Sequence, residues 1–168
     1  NKPYNYVEYA LFNHLGLDTI RFILVGILGM ILGIIFLHTF PNITILQGIA
    51  VIISCVLATI INILLVTFIG LISFFIEDAN PFFWVYSKLI LVIGTIFPLE
   101  FFPKALQPII QCSPIYVVSY GPAKLFVNFT LENWITITVA QIIYLGFSFF
   151  ICHKIYQKGV RKLNVNGG

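Results

Sequence analysis

Charge is what this chain has least of. Only 9% of its 168 residues are Asp, Glu, Lys or Arg, against about 25% in a soluble domain. Between Phe22 and Ile76 there is none at all, a run of 55 residues. With 60% hydrophobic residues and a mean hydropathy of +1.01, this excludes a soluble globular domain and implies a polytopic membrane protein, all-α because helices satisfy their own backbone in lipid. The net charge of +3 is no nucleic-acid signature, since four of the nine basic residues (Lys154, Lys158, Arg161 and Lys162) crowd the last fifteen positions. Cys55, Cys112 and Cys152 are odd in number, scattered, and without CxxC or His-paired spacing. They form neither a disulfide framework nor a metal site.

Chemical motifs are equally scarce. There is no GxxxxGK[ST] to cradle ATP phosphates, no HExxH, no Gly-x-Ser-x-Gly and no paired carboxylates within a span. His14, His38 and His153 lie far apart at expected membrane edges. The first, second and last spans carry no ionisable group at their centres, which argues against an intramembrane enzyme and an ion-coupled carrier. No catalytic, cofactor or metal residues are expected. The chain starts at Asn1 without a signal-peptide pattern and reads as a fragment lacking its N-terminal part.

Residues 1–21 are the polar part before the first span. Pro3 and Asn5 favour a helix start, Val7, Ala10, Leu11 and Leu15 form one apolar stripe, and Gly16 is a plausible stop. That predicts a short amphipathic helix beside the membrane. Four spans follow at about 22–40, 44–76, 82–98 and 131–153, so the transmembrane domain covers 22–153. Pro41-Asn42 divides the first two, and Glu77, Asp78, Asn80 and Pro81 form a polar turn before the third. Gly26, Gly29 and Gly33 share a face of the first span, which predicts close helix packing. Ser54, Ala58 and Asn62 make a small polar stripe on the second. Lys88 sits where it can snorkel back past the aromatic start of the third span. Gln141 is expected to hydrogen-bond another helix from the middle of the last.

Between the third and last spans lies the stretch 98–130, with five of the eight prolines: Pro98, Pro103, Pro108, Pro114 and Pro122. No single helix crosses it, yet it is too apolar for a solvated loop. It predicts a segment that re-enters the membrane edge or packs on the spans there. The basic tail 154–168 places the C-terminus in the cytoplasm by the positive-inside rule. Four spans put the N-terminal helix there too, and 98–130 outside.

Several short patterns, in order, resemble the C-terminal two-thirds of an ABC-2 type transporter permease. This is the membrane subunit of a prokaryotic ABC exporter, of the branch in which two permeases work with a separate ATPase. They are Lys2-Pro3 with its amphipathic helix, Gly94 leading to Pro98-Leu99 and Phe102-Pro103, Pro114-Ile115-Tyr116 with Tyr120-Gly121-Pro122, Gln141, and Gly159-Val160-Arg161-Lys162 with Gly167-Gly168. Ile115, Asn128 and Tyr144 depart from the usual Phe, Gly and Trp.

The resemblance implies alternating access driven by ATP hydrolysis on a separate partner, so the chain itself is no enzyme. It makes the N-terminal helix a coupling helix, with Tyr6, Glu8, Tyr9, Phe12 and Asn13 touching the ATPase. The stretch 98–130 becomes an outer re-entrant hairpin of half-inserted helices at about 104–112 and 119–127. An outer gate would comprise Pro98, Glu100, Pro103, Lys104, Pro114, Tyr120 and Pro122, with Glu100 and Lys104 paired. Implied partners are ABC ATPase subunits, a second permease subunit and the lipid bilayer of a prokaryotic cell membrane, with no nucleic acid. An ATPase-independent carrier and a non-transport membrane scaffold are the alternatives.

Overall fold

The computed structural model describes residues 5–38 and 44–166, all helix, turn or irregular chain without a strand. The expected Pro41-Asn42 turn, Lys2-Pro3 and Gly167-Gly168 lie outside the described residues. Helix α1 spans Tyr6–Leu37, α2 Ile45–Ile72 and α3 Asn80–Leu89, which continues as a π-helical stretch Ile90–Ile96. The proline-rich segment then contributes a 3-10 turn Leu99–Phe101, α4 Gln107–Gln111, a second π-helical stretch Tyr116–Tyr120 and α5 Gly121–Val127. Helix α6 closes the chain over Leu131–Asn166. Among the described residues three helices are long and apolar enough to cross a membrane: Tyr6–Phe36, Ile45–Ile72 and Leu131–Lys162. The third expected span is the shorter apolar helix Asn80–Ile96.

The helix ends follow local chemistry. Asn5 caps α1, its side chain accepting from the Val7 amide, and Thr44 and Gln47 form a reciprocal capping box on α2. The polar turn before α3 is held by the Asp78 carboxylate accepting from the Asn80 amide at 2.9 Å. The expected stop at Gly16 does not occur, and α1 passes straight through it. A glycine ends a helix by adopting the left-handed conformation, and no glycine among the described residues has positive φ. The helix ends instead at His38, whose φ is 51° and whose amide donates to the Ile34 carbonyl.

Helices α2 and α6 form the backbone of the fold. Ser54 meets Gln141, and Leu64 meets Cys152, at sequence separations of 87 and 88. A constant separation means that the two helices run parallel. Helix α1 runs antiparallel to α2, with Val7 packed into a core of Leu64, Leu71 and Cys152. Its predicted apolar stripe is the one that faces inward: Val7 and Ala10 are buried, and Leu11 and Leu15 half-buried. A second core joins Val51, Leu125 and Ile137, and a third joins Leu99, Tyr116 and Val117. The proline-rich segment is therefore packed onto α2 and α6. The glycine face of α1 is not packed by the described residues, with nothing within 4 Å of a Cβ placed at Gly26, Gly29 or Gly33.

Two other glycines are needed for close approach. A Cβ at Gly94 would lie 2.5 Å from Ser119 Cβ, where the two π-helical stretches touch. A Cβ at Gly159 would lie 2.6 Å from the Phe74 ring at Cγ, where the chain after α2 packs on α6. Overpacking of this kind costs about 1–3 kcal/mol. Gly94→Ala is therefore expected to lower the thermal midpoint of the purified protein, and Ser119→Gly in the same chain to restore part of the loss. An unchanged midpoint in Gly94→Ala would show that the two stretches do not meet as closely as described.

Candidate functional site

A proline in an apolar setting leaves a carbonyl without its donor, and in lipid no water replaces it. In and beside the proline-rich segment, side chains donate to four backbone carbonyls. The Gly94 carbonyl lies in the last turn of the π-helical stretch that ends before Pro98, and Ser119 Oγ donates to it at 3.1 Å. The Phe102 carbonyl, just before Pro103, accepts from Gln107 Nε2 at 2.9 Å. The Cys112 carbonyl accepts from the Tyr144 hydroxyl of α6. The Val117 carbonyl accepts from Gln141 Nε2 at 3.2 Å.

Gln141 is the centre of this arrangement. It is fully buried, as is Ser54. Its Oε1 accepts from the Ser54 hydroxyl at 3.1 Å, while Nε2 donates to both the Ser54 and the Val117 carbonyls. Two carbonyl acceptors on one side fix the amide's orientation, because only the NH₂ end can serve them. One side chain on α6 thus binds α2 and the proline-rich segment together.

The expected gate residues are spread over this segment. Pro98, Glu100, Pro103 and Lys104 are exposed, Pro114 and Tyr120 half-buried, and Pro122 buried. The Tyr120 hydroxyl lies 3.4 Å from a Glu100 carboxylate oxygen, and its ring meets that of Tyr116 with centroids 5.2 Å apart. Glu100 and Lys104 do not pair. Among the described residues the only ion pair within 4 Å is Asp18–Arg21. Pairing four residues apart requires a continuous helical turn, and Phe102-Pro103 interrupts it. Helices lie in both stretches expected to be helical at about 104–112 and 119–127: α4, and Tyr116–Val127, which begins as a π-helix and continues as α5.

Beside the segment runs an open groove of about 780 Å³. Its walls are mostly apolar, from Phe22 and Val25 of α1, Val51 and Cys55 of α2, and Pro122 and Phe126 of the segment. Thr59, Asn62 and Ser119 add polar edges, and Asp18 and Arg21 border it from α1. Asn62 is not free in this stripe, because it accepts from the Tyr86 hydroxyl at 2.7 Å.

At the other end of the bundle α1 meets α6 through polar contacts. Asn5 Nδ2 reaches Glu8 Oε1 at 3.3 Å and His153 Nδ1 at 3.4 Å, and Gln157 lies 2.8 Å from the other nitrogen of that ring. Tyr6 stacks on Tyr156 with ring centroids 6.1 Å apart. Tyr6, Glu8, Tyr9, Phe12 and Asn13 are all exposed, Phe12 the most of the three aromatics at 71%. An exposed aromatic there lies on the face opposite Val7 and Ala10. Lys88 is exposed, its ammonium 5.6 Å from the Trp84 ring. Sequence reasoning missed Ser119, Gln107, His153 and Gln157. Pro98 and Pro103 marked only that the chain breaks there, not which side chains bond the carbonyls beside them. No local pattern marks His153 or Gln157.

No curated protein and no solved structure matches the chain. The family model described as ABC-2 family transporter protein matches residues 1–167, and that match spans α1, the parallel α2/α6 pair and the proline-rich segment. The chain belongs to the ABC-2 transporter family and is a membrane component of transport.

Proposed function

We propose that the chain is a membrane-spanning permease subunit of an ATP-driven ABC-2 type exporter, coupled to a separate ATPase and sharing its substrate pathway with a second permease subunit. The observation that carries this is the two-faced first half of α1. One face is held by α2 and α6 through Val7, Leu64, Leu71 and Cys152. The other presents Glu8, Tyr9, Phe12 and Asn13, with Tyr6 at its edge, stacked on Tyr156 of α6. A force applied to that outer face reaches α2 through the apolar core. It reaches α6 through Asn5–His153 and Tyr6–Tyr156. Such a lever suits a subunit that hydrolyses no ATP itself and takes its motion from a partner.

In this reading both ends of the chain are cytoplasmic, Asn80–Ile96 is a further crossing, and the proline-rich segment is an outer gate in a prokaryotic cell membrane. The exposed basic residues Lys154, Lys158, Arg161 and Lys162 lie on the cytoplasmic side, as the positive-inside rule requires. The glycine face of α1, which the described residues leave unpacked, offers a surface to a second permease.

Two experiments test the reading. The protein co-purified with its ATPase is expected to lose the complex, or its stimulated ATP hydrolysis, on Glu8→Arg together with Phe12→Ala. Val7 and Ala10 are untouched, so folding should survive. An intact complex with normal stimulation would refute the coupling assignment. Separately, an impermeant maleimide is expected to label Ser113→Cys only from outside the cell and Gln157→Cys only from inside, with the reverse pattern overturning the orientation.

A further inference from the structure

The two π-helical stretches each stop just short of a proline, and the second leaves one carbonyl in a special position. In Tyr116–Tyr120 the Gly121 amide donates to the Tyr116 carbonyl, five residues back. If that register continued, the next amide would donate to the Val117 carbonyl. The next residue is Pro122, which has no N–H. Val117 is 1% exposed, so water does not supply the donor. Gln141 Nε2 does, at 3.2 Å, from α6.

We propose that Gln141 is the positioning residue of the proline-rich segment. Its amide replaces the backbone donor that Pro122 removes, and so fixes the segment to the α2/α6 pair. Pro122 and Gln141 form a complementary couple: one creates the vacancy in the backbone ladder and the other fills it from a neighbouring helix. The bond to Val117 is one of only two that Nε2 can make, and the other goes to the Ser54 carbonyl. The segment is thus held to the same atom that joins α6 to α2. Within the permease reading, the gate then moves with α2 and α6 as one body. The couple itself requires neither an ATPase nor a known cargo, so its failure and the failure of that reading are distinguishable.

The alternative is that Gln141 merely stabilises the α2/α6 contact. The two differ in what rescues its loss. Gln141→Leu is expected to speed amide hydrogen exchange at residues 116–121 by about tenfold, the effect of losing one buried hydrogen bond. Exchange at the α1/α6 end, around Cys152, should be unchanged. Pro122→Ala supplies an N–H at position 122 in register with the Val117 carbonyl. In the Gln141→Leu background it is expected to restore most of the protection, with Pro122→Ala alone as the control for loss of the ring. The measurement is made on the full chain in lipid nanodiscs. If Gln141→Leu proves too unstable to purify, the same logic predicts that the double variant is recovered in higher yield. A double variant that exchanges as fast as Gln141→Leu, or is recovered no better, overturns the proposal. So does a Gln141→Leu protein whose segment 116–121 exchanges like the parent.

Discussion

The structure depends on one constraint: in an apolar medium every backbone carbonyl needs a donor, and five prolines remove donors from one short segment. Helices α1, α2 and α6 meet the constraint internally. The proline-rich segment cannot, and it borrows donors from side chains. Gln107, Tyr144 and Gln141 each reach a segment carbonyl, and Ser119 of the segment donates to Gly94 just before it. Two of the four are on α6, so satisfying the backbone and docking the segment are the same event. Each π-helical stretch ends two residues before a proline, and the Phe97 amide, just before Pro98, binds the carbonyl five residues back, at Val92.

The parallel α2/α6 pair gives these bonds a fixed frame. Buried positions on α6 fall at Ile137, Gln141, Ser148, Cys152 and Gly159, a seam spaced by fours and sevens that suits a lengthwise helix contact. Only Gln141 and Ser148 interrupt its apolar character, and the Gln141 amide is paired at both ends. A buried amide left half-satisfied would cost more than an apolar residue at the same place. Its three bonds therefore specify which helix, and which level of it, α6 and the segment share.

The two ends of the bundle have different chemistry. At one, a proline-rich segment is clamped onto α2 and α6 beside an apolar groove. At the other, α1 is clamped onto the same two helices while an aromatic and acidic face stays exposed. In this member of the ABC-2 transporter family the two ends are thus built differently. Both are anchored on a single helix pair.

The sequence by itself determined that the protein lives in a membrane and where its apolar helices run. A charge-free run of 55 residues has no stable place in water. It also determined which face of the first half of α1 turns inward, because Val7, Ala10, Leu11 and Leu15 follow the helical period. The prolines announced a broken segment for the same local reason. What only the tertiary structure decided was where the displaced hydrogen bonds go. Gln141 was legible as a polar residue in need of a partner, but Ser54 and Val117 lie 87 and 24 residues away. Glu100 and Lys104 looked paired by spacing, yet the chain bends between them. Gly16 looked like a stop, yet the helix passes through, since a permissive residue does not end a helix unless the fold bends it there. Local physics fixes periods and breaks, whereas the partners of a buried polar group depend on which helices lie side by side.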